Sequence, residues 1–218
     1  MSSRQINLMY AEEAVKYVET HLRGKAANKP DDVIHYLQEF EPGEFNKLLN
    51  KAKKDQDFYT GKSQKLESAI VSIGADFQDQ LNAQRATTNT FNPNQVIQNG
   101  FGNCHEHSIL AADYLRQKNI KSNVYYLTVG GTANEWLDHV WVVIDITPAL
   151  PNGKYTITLD DVPAAFGPDA VVCDAWFGEW FVAQHDWARK MRSILNVTKV
   201  DKARKLPDSA EVRFTRKH

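Results

Sequence analysis

An α+β fold, with helices first and an antiparallel sheet second, is predicted because the periodicity of the chain changes near residue 90. Before that point apolar residues recur at helical spacing. After residue 122 they come in short β-branched and aromatic runs. All five tryptophans, Trp136, Trp141, Trp176, Trp180 and Trp187, lie in the second half, so the better core and any cleft are expected there.

Leu8, Ala11, Ala14, Val15, Val18 and Leu22 form the stripe of a first helix, closed by Gly24. Pro30 and Asp31-Asp32 open a second through Val33, Ile34, Leu37 and Phe40, stopped near Pro42-Gly43. A third covers about 44–54 with Phe45, Leu48 and Leu49 on one side, and a fourth covers about 63–85 with Leu66, Ile70, Ile73, Phe77 and Leu81. None of the four carries a cluster of chemically useful side chains, so they read as a packing scaffold. Residues 86–99 are polar and interrupted by Pro93, which reads as a connector. Gly100-Phe-Gly-Asn-Cys104 then leads into a helix over about 103–118. Strands are expected over 123–129, 139–146, 154–159, 170–174 and 180–183.

The formal net charge of −1 gives no global electrostatic case for nucleic acid or an anionic membrane. Residues 196–218 differ, with seven Lys/Arg against three acids, and read as a solvated basic tail. No apolar run approaches the roughly 18–20 residues of a membrane span. Met1–Val18 lacks the basic-then-apolar layout of a secretory signal, and two cysteines make no disulfide framework. The chain is therefore expected in a reducing cytoplasm, or translocated without a cleaved signal.

Cys104 stands at the first turn of its helix, where unpaired backbone N–H groups and the positive end of the helix dipole favour a thiolate, the nucleophilic form. His139 opens the apolar strand HVWVVIDI thirty-five residues later, placed at a strand edge to exchange a proton with that sulfur. Asp174 ends another apolar strand a further thirty-five residues on and is positioned to accept the other imidazole N–H. The rival acid, Asp145, lies six residues along the His139 strand, about 20 Å away and out of reach. Gln98, six residues before Cys104, is a candidate oxyanion donor together with the Cys104 backbone N–H, with Asn99 and Gln95 as alternatives. Cys173 reads as core. His105 and His107 point about 200° apart on a helix and cannot share a metal, so no metal or other cofactor is expected.

The runs GNCHEHSILAADYLRQKNIKSNVYYL, DHVWVVID and VCDAWFGEW resemble the core of the transglutaminase-like superfamily. In that family Gly-x-Cys heads a helix, an Arg-x-x-Gly-Ile-like turn and a strand follow, then His-x-Trp, then an Asp on a further strand. Gly102-Asn-Cys104, Arg116 to Ile120, His139-Val-Trp141 and Asp174-Ala-Trp176 occupy those places over about residues 95–185. Asn119 stands where the family has Gly, and 147–170 is longer than usual, an extra hairpin or loop. The resemblance implies a papain/transglutaminase-like core over 89–195, and helical periodicity and charge set a helical N-terminal region over 1–88 and the basic tail over 196–218 on either side of it. It implies a Cys104–His139–Asp174 triad and a thioacyl intermediate. The activity expected is that of a protein glutamine deamidase, a thiol protease or a transglutaminase, acting on a protein or peptide substrate. Trp141 and Trp176 are the candidate cleft walls, with a place in the core as the equal alternative. Bacterial effectors that deamidate or cleave host proteins are similar in their compactness. A catalytically silent protein-binding module on the same fold is the alternative.

Overall fold

The computed structural model describes residues 2–22, 26, 30–53, 64–87, 92–129, 139–147, 149, 151–158, 160–163, 166–197 and 209–217. The helices are α1 (Ser3–His21), α2 (Pro30–Phe40), α3 (Pro42–Ala52), α4 (Gln64–Thr87), α5 (Pro93–Asn99), α6 (Cys104–Gln117) and α7 (Ala183–Val197). The strands are β1 (Val124–Val129), β2 (His139–Ile146), β3 (Gly153–Thr158), β4 (Phe166–Asp174), β5 (Glu179–Val182) and β6 (Ser209–Arg216). They form one antiparallel sheet in the order β3-β6-β1-β2-β4-β5, so the fold is α+β as expected. The chain divides into two compact units. One joins residues 1–20 to 104–218 and holds the sheet; the other is the helical stretch 21–103.

In the sheet unit, β2 is buried along nearly its whole length. A strand covered on both faces has no reason to alternate with polar residues, which explains the unbroken apolar run HVWVVIDI. One face is covered by α6, where Ser108 Oγ donates to the Val140 carbonyl at 2.9 Å, and by α1, whose Ala11 carbonyl faces Cys173 Sγ at 3.7 Å. The other face carries the main core. There Tyr125, Leu127, Trp141, Val143 and Val172 pack with Trp187 and Met191 of α7. Trp187 meets Phe166 edge-on at 5.3 Å. Burying a side chain of that size contributes on the order of 3 kcal/mol.

β2 and β4 slip register between Ile144 and Ile146, and Asp145 at the slip adopts φ 72°. The ladder groups this bulge frees are taken up by Asn123, which donates to the Ile146 carbonyl at 2.8 Å and accepts from the Ile146 N–H at 2.7 Å. Asn7 of α1, 2% exposed, donates to the Asp169 carbonyl at 3.0 Å and fastens the first helix to the same end of the sheet.

Five features differ from expectation. The basic tail over 196–218 is not a tail, because Ser209–Arg216 forms β6, paired on one side with β1 and on the other with β3. The strand expected over 154–159 is present as β3, but it forms no hairpin with its neighbours in sequence and pairs with β6 at the sheet edge. The connector over 86–99 contains α5, started by Asn92, whose side chain caps the Asn94 N–H, with Pro93 in the first turn. The first helix packs with the sheet unit up to Thr20, so 1–88 is not one helical region. A seventh helix, α7, follows β5 directly.

The helical unit packs α2, α3 and α4 around Val33, Leu37 and Ile70. Phe77 of α4 stacks on Phe101 at 4.8 Å. Gly100 ends α5 at φ 73°, and its N–H reaches back to the Val96 and Ile97 carbonyls.

Candidate active site

The ends of one helix and two strands carry the candidate residues in the sheet unit. Cys104 is the first residue of α6, His139 the first of β2, and Asp174 the last of β4. The Ser108 bond to Val140 holds the first turns of α6 against the start of β2, so the thiol and the imidazole come from neighbouring elements. Val142 pairs with Cys173 in the β2–β4 ladder, which sets Asp174 one step further, beside the His139 end of the strand. The four-residue turn 175–178 then reverses the chain into β5, with Glu179 opposite Asp174. Gly178 closes that turn at φ 69°. A Cβ there would stand 3.2 Å from Oε1 of the exposed Glu19 side chain, which can give way, so the turn needs glycine for its backbone conformation.

His139 Nε2 and Asp174 Oδ2 are 2.6 Å apart, and both side chains are fully buried. The other carboxylate oxygen, Oδ1, accepts the Phe177 backbone N–H at 3.2 Å, so both Asp174 oxygens are held. Trp141, Trp176 and Phe177 surround the imidazole, with ring centroids 5.0, 5.2 and 5.7 Å from it. That wall keeps water from the His139–Asp174 bond and strengthens its electrostatics. Burial opposes a charged imidazole. The Asp174 carboxylate, by charge and hydrogen bond, outweighs it, and Cys104 acts in the same direction, so the pKa is pushed up to about 9.

His139 Nδ1, also buried, makes no well-aligned hydrogen bond, yet Cys104 is the group besides Asp174 that favours the protonated ring. The two facts describe one arrangement, with the sulfur near the ring but outside ideal alignment, as is common in unliganded sites. The Cys104 side chain is half-buried and therefore open to a reagent. A thiol, an imidazole and a carboxylate in this order can hold a thiolate–imidazolium pair and return its proton to a leaving group.

The residues expected at the site fare unequally. Cys104, His139 and Asp174 come together. Trp141 does not line a cleft, because it is 0% exposed within the core. Trp176 is 9% exposed and packs on the imidazole, a wall of the site's interior. Gln98 is exposed on α5, in the helical unit, and its oxyanion role is carried by spacing alone. Asp145 is occupied at the bulge, where it accepts the Thr147 hydroxyl at 2.8 Å. Cys173 is core as expected, and burial pushes its thiol pKa up.

Phe177, Gly178 and the fully buried Glu106 were not singled out from sequence. The Trp-Phe-Gly run after Asp174 carried the signal for a tight aromatic turn. Nothing local marks Glu106 as buried.

Among the described residues no helix is long and apolar enough to cross a membrane. No protein-family model, no curated protein and no solved structure matches this chain.

Proposed function

We propose that the chain is a cysteine-nucleophile amide hydrolase or acyl transferase of papain/transglutaminase-like fold. Cys104 is its nucleophile, His139 its general acid and base, and Asp174 the residue that orients and charges the imidazole. The supporting observation is His139 held at 2.6 Å by a buried carboxylate while Cys104 bears on the same ring. The turn at Asn119 adds to the resemblance: its φ of 50° is the left-handed conformation that favours glycine and that asparagine tolerates.

The Cys104 thiolate adds to an amide carbonyl, forming a C–S bond and an oxyanion. As the oxyanion collapses, the C–N bond breaks and the His139 imidazolium gives its proton to the departing nitrogen, leaving a thioester on Cys104. Water or an amine then attacks the thioester. Neutral His139 removes the attacker's proton, the C–S bond breaks, and the thiolate–imidazolium pair returns. Deamidation of glutamine, peptide cleavage and transamidation all follow this course and differ in the entering carbonyl and in the acceptor. The substrate class we infer is protein or peptide.

The test is selective alkylation. Iodoacetamide at about pH 6 is expected to label Cys104 at least about a hundredfold faster than the buried Cys173, read by peptide mass spectrometry. His139→Gln is expected to slow Cys104 by at least about tenfold. Equal, slow labelling of both cysteines favours a silent binding module on the same fold.

A further inference from the structure

The sheet face that carries α6 extends beyond it. Lys217, just past β6, lies with Nζ 4.0 Å from the centroid of the Tyr126 ring. Tyr126 in turn meets His105, the residue after Cys104, at 6.5 Å and near-perpendicular. Strand alternation then puts Thr215 and Arg213 on the same face as Lys217. Thr128 of β1 is paired with Val140 on one side and with Arg213 on the other. Val140 is the residue whose carbonyl holds Ser108 of α6, one turn from Cys104. Arg213 therefore stands two strand spacings, about 10 Å, from the strand beneath the thiol-bearing helix.

Both cations are exposed, and neither has an acidic partner among the described residues. Other cations of the unit do. Arg116 holds Asp113, Arg189 holds Asp186, Lys190 holds Glu179 and Arg192 holds Asp160. The cross-strand neighbour of Arg213 in β3 is another cation, Lys154. The one acid of β6, Glu211, stands opposite Thr156. Partial burial lowers the Lys217 pKa, as expected for an ammonium without a counter-charge.

We propose that Arg213 and Lys217 form a cationic subsite for acidic side chains of the peptide segment whose amide reacts at Cys104. The subsite rests on the nucleophile reading above and adds a substrate preference to it. Four residues of strand separate positions 213 and 217, about 13 Å between their Cα atoms. An extended peptide presents alternate side chains to one surface, so acidic residues four positions apart match that span. Two cations on a chain of net charge −1 are too few for the many phosphate contacts that hold a nucleic acid.

Two chloroacetyl peptides test this, identical except for Glu-x-x-x-Glu in one and Gln-x-x-x-Gln in the other. Cys104 labelling by the full chain is followed by mass spectrometry. The Glu probe is expected to react about five- to tenfold faster at low salt, with near parity in about 0.5 M NaCl. Replacing both cations (Arg213→Gln with Lys217→Gln) removes the preference and leaves the iodoacetamide rate unchanged. Lys217→Gln alone, beyond the strand, halves the preference or more without touching β6. Equal rates for the two probes, or a preference that survives both variants, overturns the subsite. A preference abolished by duplex RNA but not by free Glu-x-x-x-Glu peptide overturns it in favour of a nucleic-acid face. Cys104 no faster than Cys173 toward iodoacetamide overturns the nucleophile reading, and the subsite with it.

Discussion

Asp174→Asn keeps the shape of the side chain that holds His139 and removes its charge. The His139 pKa stands at about 9 against an ordinary 6.5, a preference for the charged ring worth roughly 3 kcal/mol. Burial opposes that preference, and Asp174 is the largest favourable contribution to it. Because the folded value lies above the unfolded one, this stabilisation is complete below about pH 6.5 and is lost as pH rises through about 9. Asparagine is thus expected to cost about 2–3 kcal/mol at pH 6 and less than about 1 kcal/mol at pH 9.5. Urea unfolding followed by tryptophan fluorescence at the two pH values, with equal slopes for both proteins, measures the difference. A cost that is the same at both pH values, or larger at the higher one, refutes the argument that Asp174 acts by charging His139.

Gly178→Ala forces a Cβ into the left-handed region and to 3.2 Å from Glu19 Oε1. A loss of about 1–3 kcal/mol in thermal unfolding is expected, with slower Cys104 alkylation as the Phe177 N–H moves from Asp174. An unchanged alkylation rate in the folded variant separates the turn from the site. Truncation before Ser209 removes the strand between β3 and β1. It is expected to abolish cooperative unfolding, whereas loss of a solvated tail leaves the melting temperature unmoved.

The parts of the fold that were readable carried strong local signals. The start of α6 at Cys104 was marked by Gly100 and Gly102 just before it, and β2 announced itself through a run apolar on both faces. β6 was hidden by its charge. Val212 and Phe214 alternate as a strand requires, but Arg213, Arg216 and Lys217 between and after them read as a solvated run. α5 is hidden in the sequence because Pro93 reads as an interruption, although an Asn before a Pro is also how helices begin. Trp187 and Met191, four apart, were the apolar stripe of α7. The docking of α1 on the sheet depends on contacts more than a hundred residues distant, such as Asn7 with the Asp169 carbonyl of β4 at 3.0 Å. No local pattern encodes these. At the site, residue types and order pointed to the three side chains that the structure brings together. Which tryptophans faced a cleft and which the core depended on the register of the sheet, and Trp141 fell on the core side.

Acid-quenched mass spectrometry with a small thioester acyl donor asks whether Cys104 carries an acyl group through His139. The account predicts a hydroxylamine-labile adduct on the Cys104 peptide, discharged by water or an added amine, and at least about tenfold slower to form in His139→Gln. No adduct on Cys104, or one that forms equally fast without the imidazole, contradicts it.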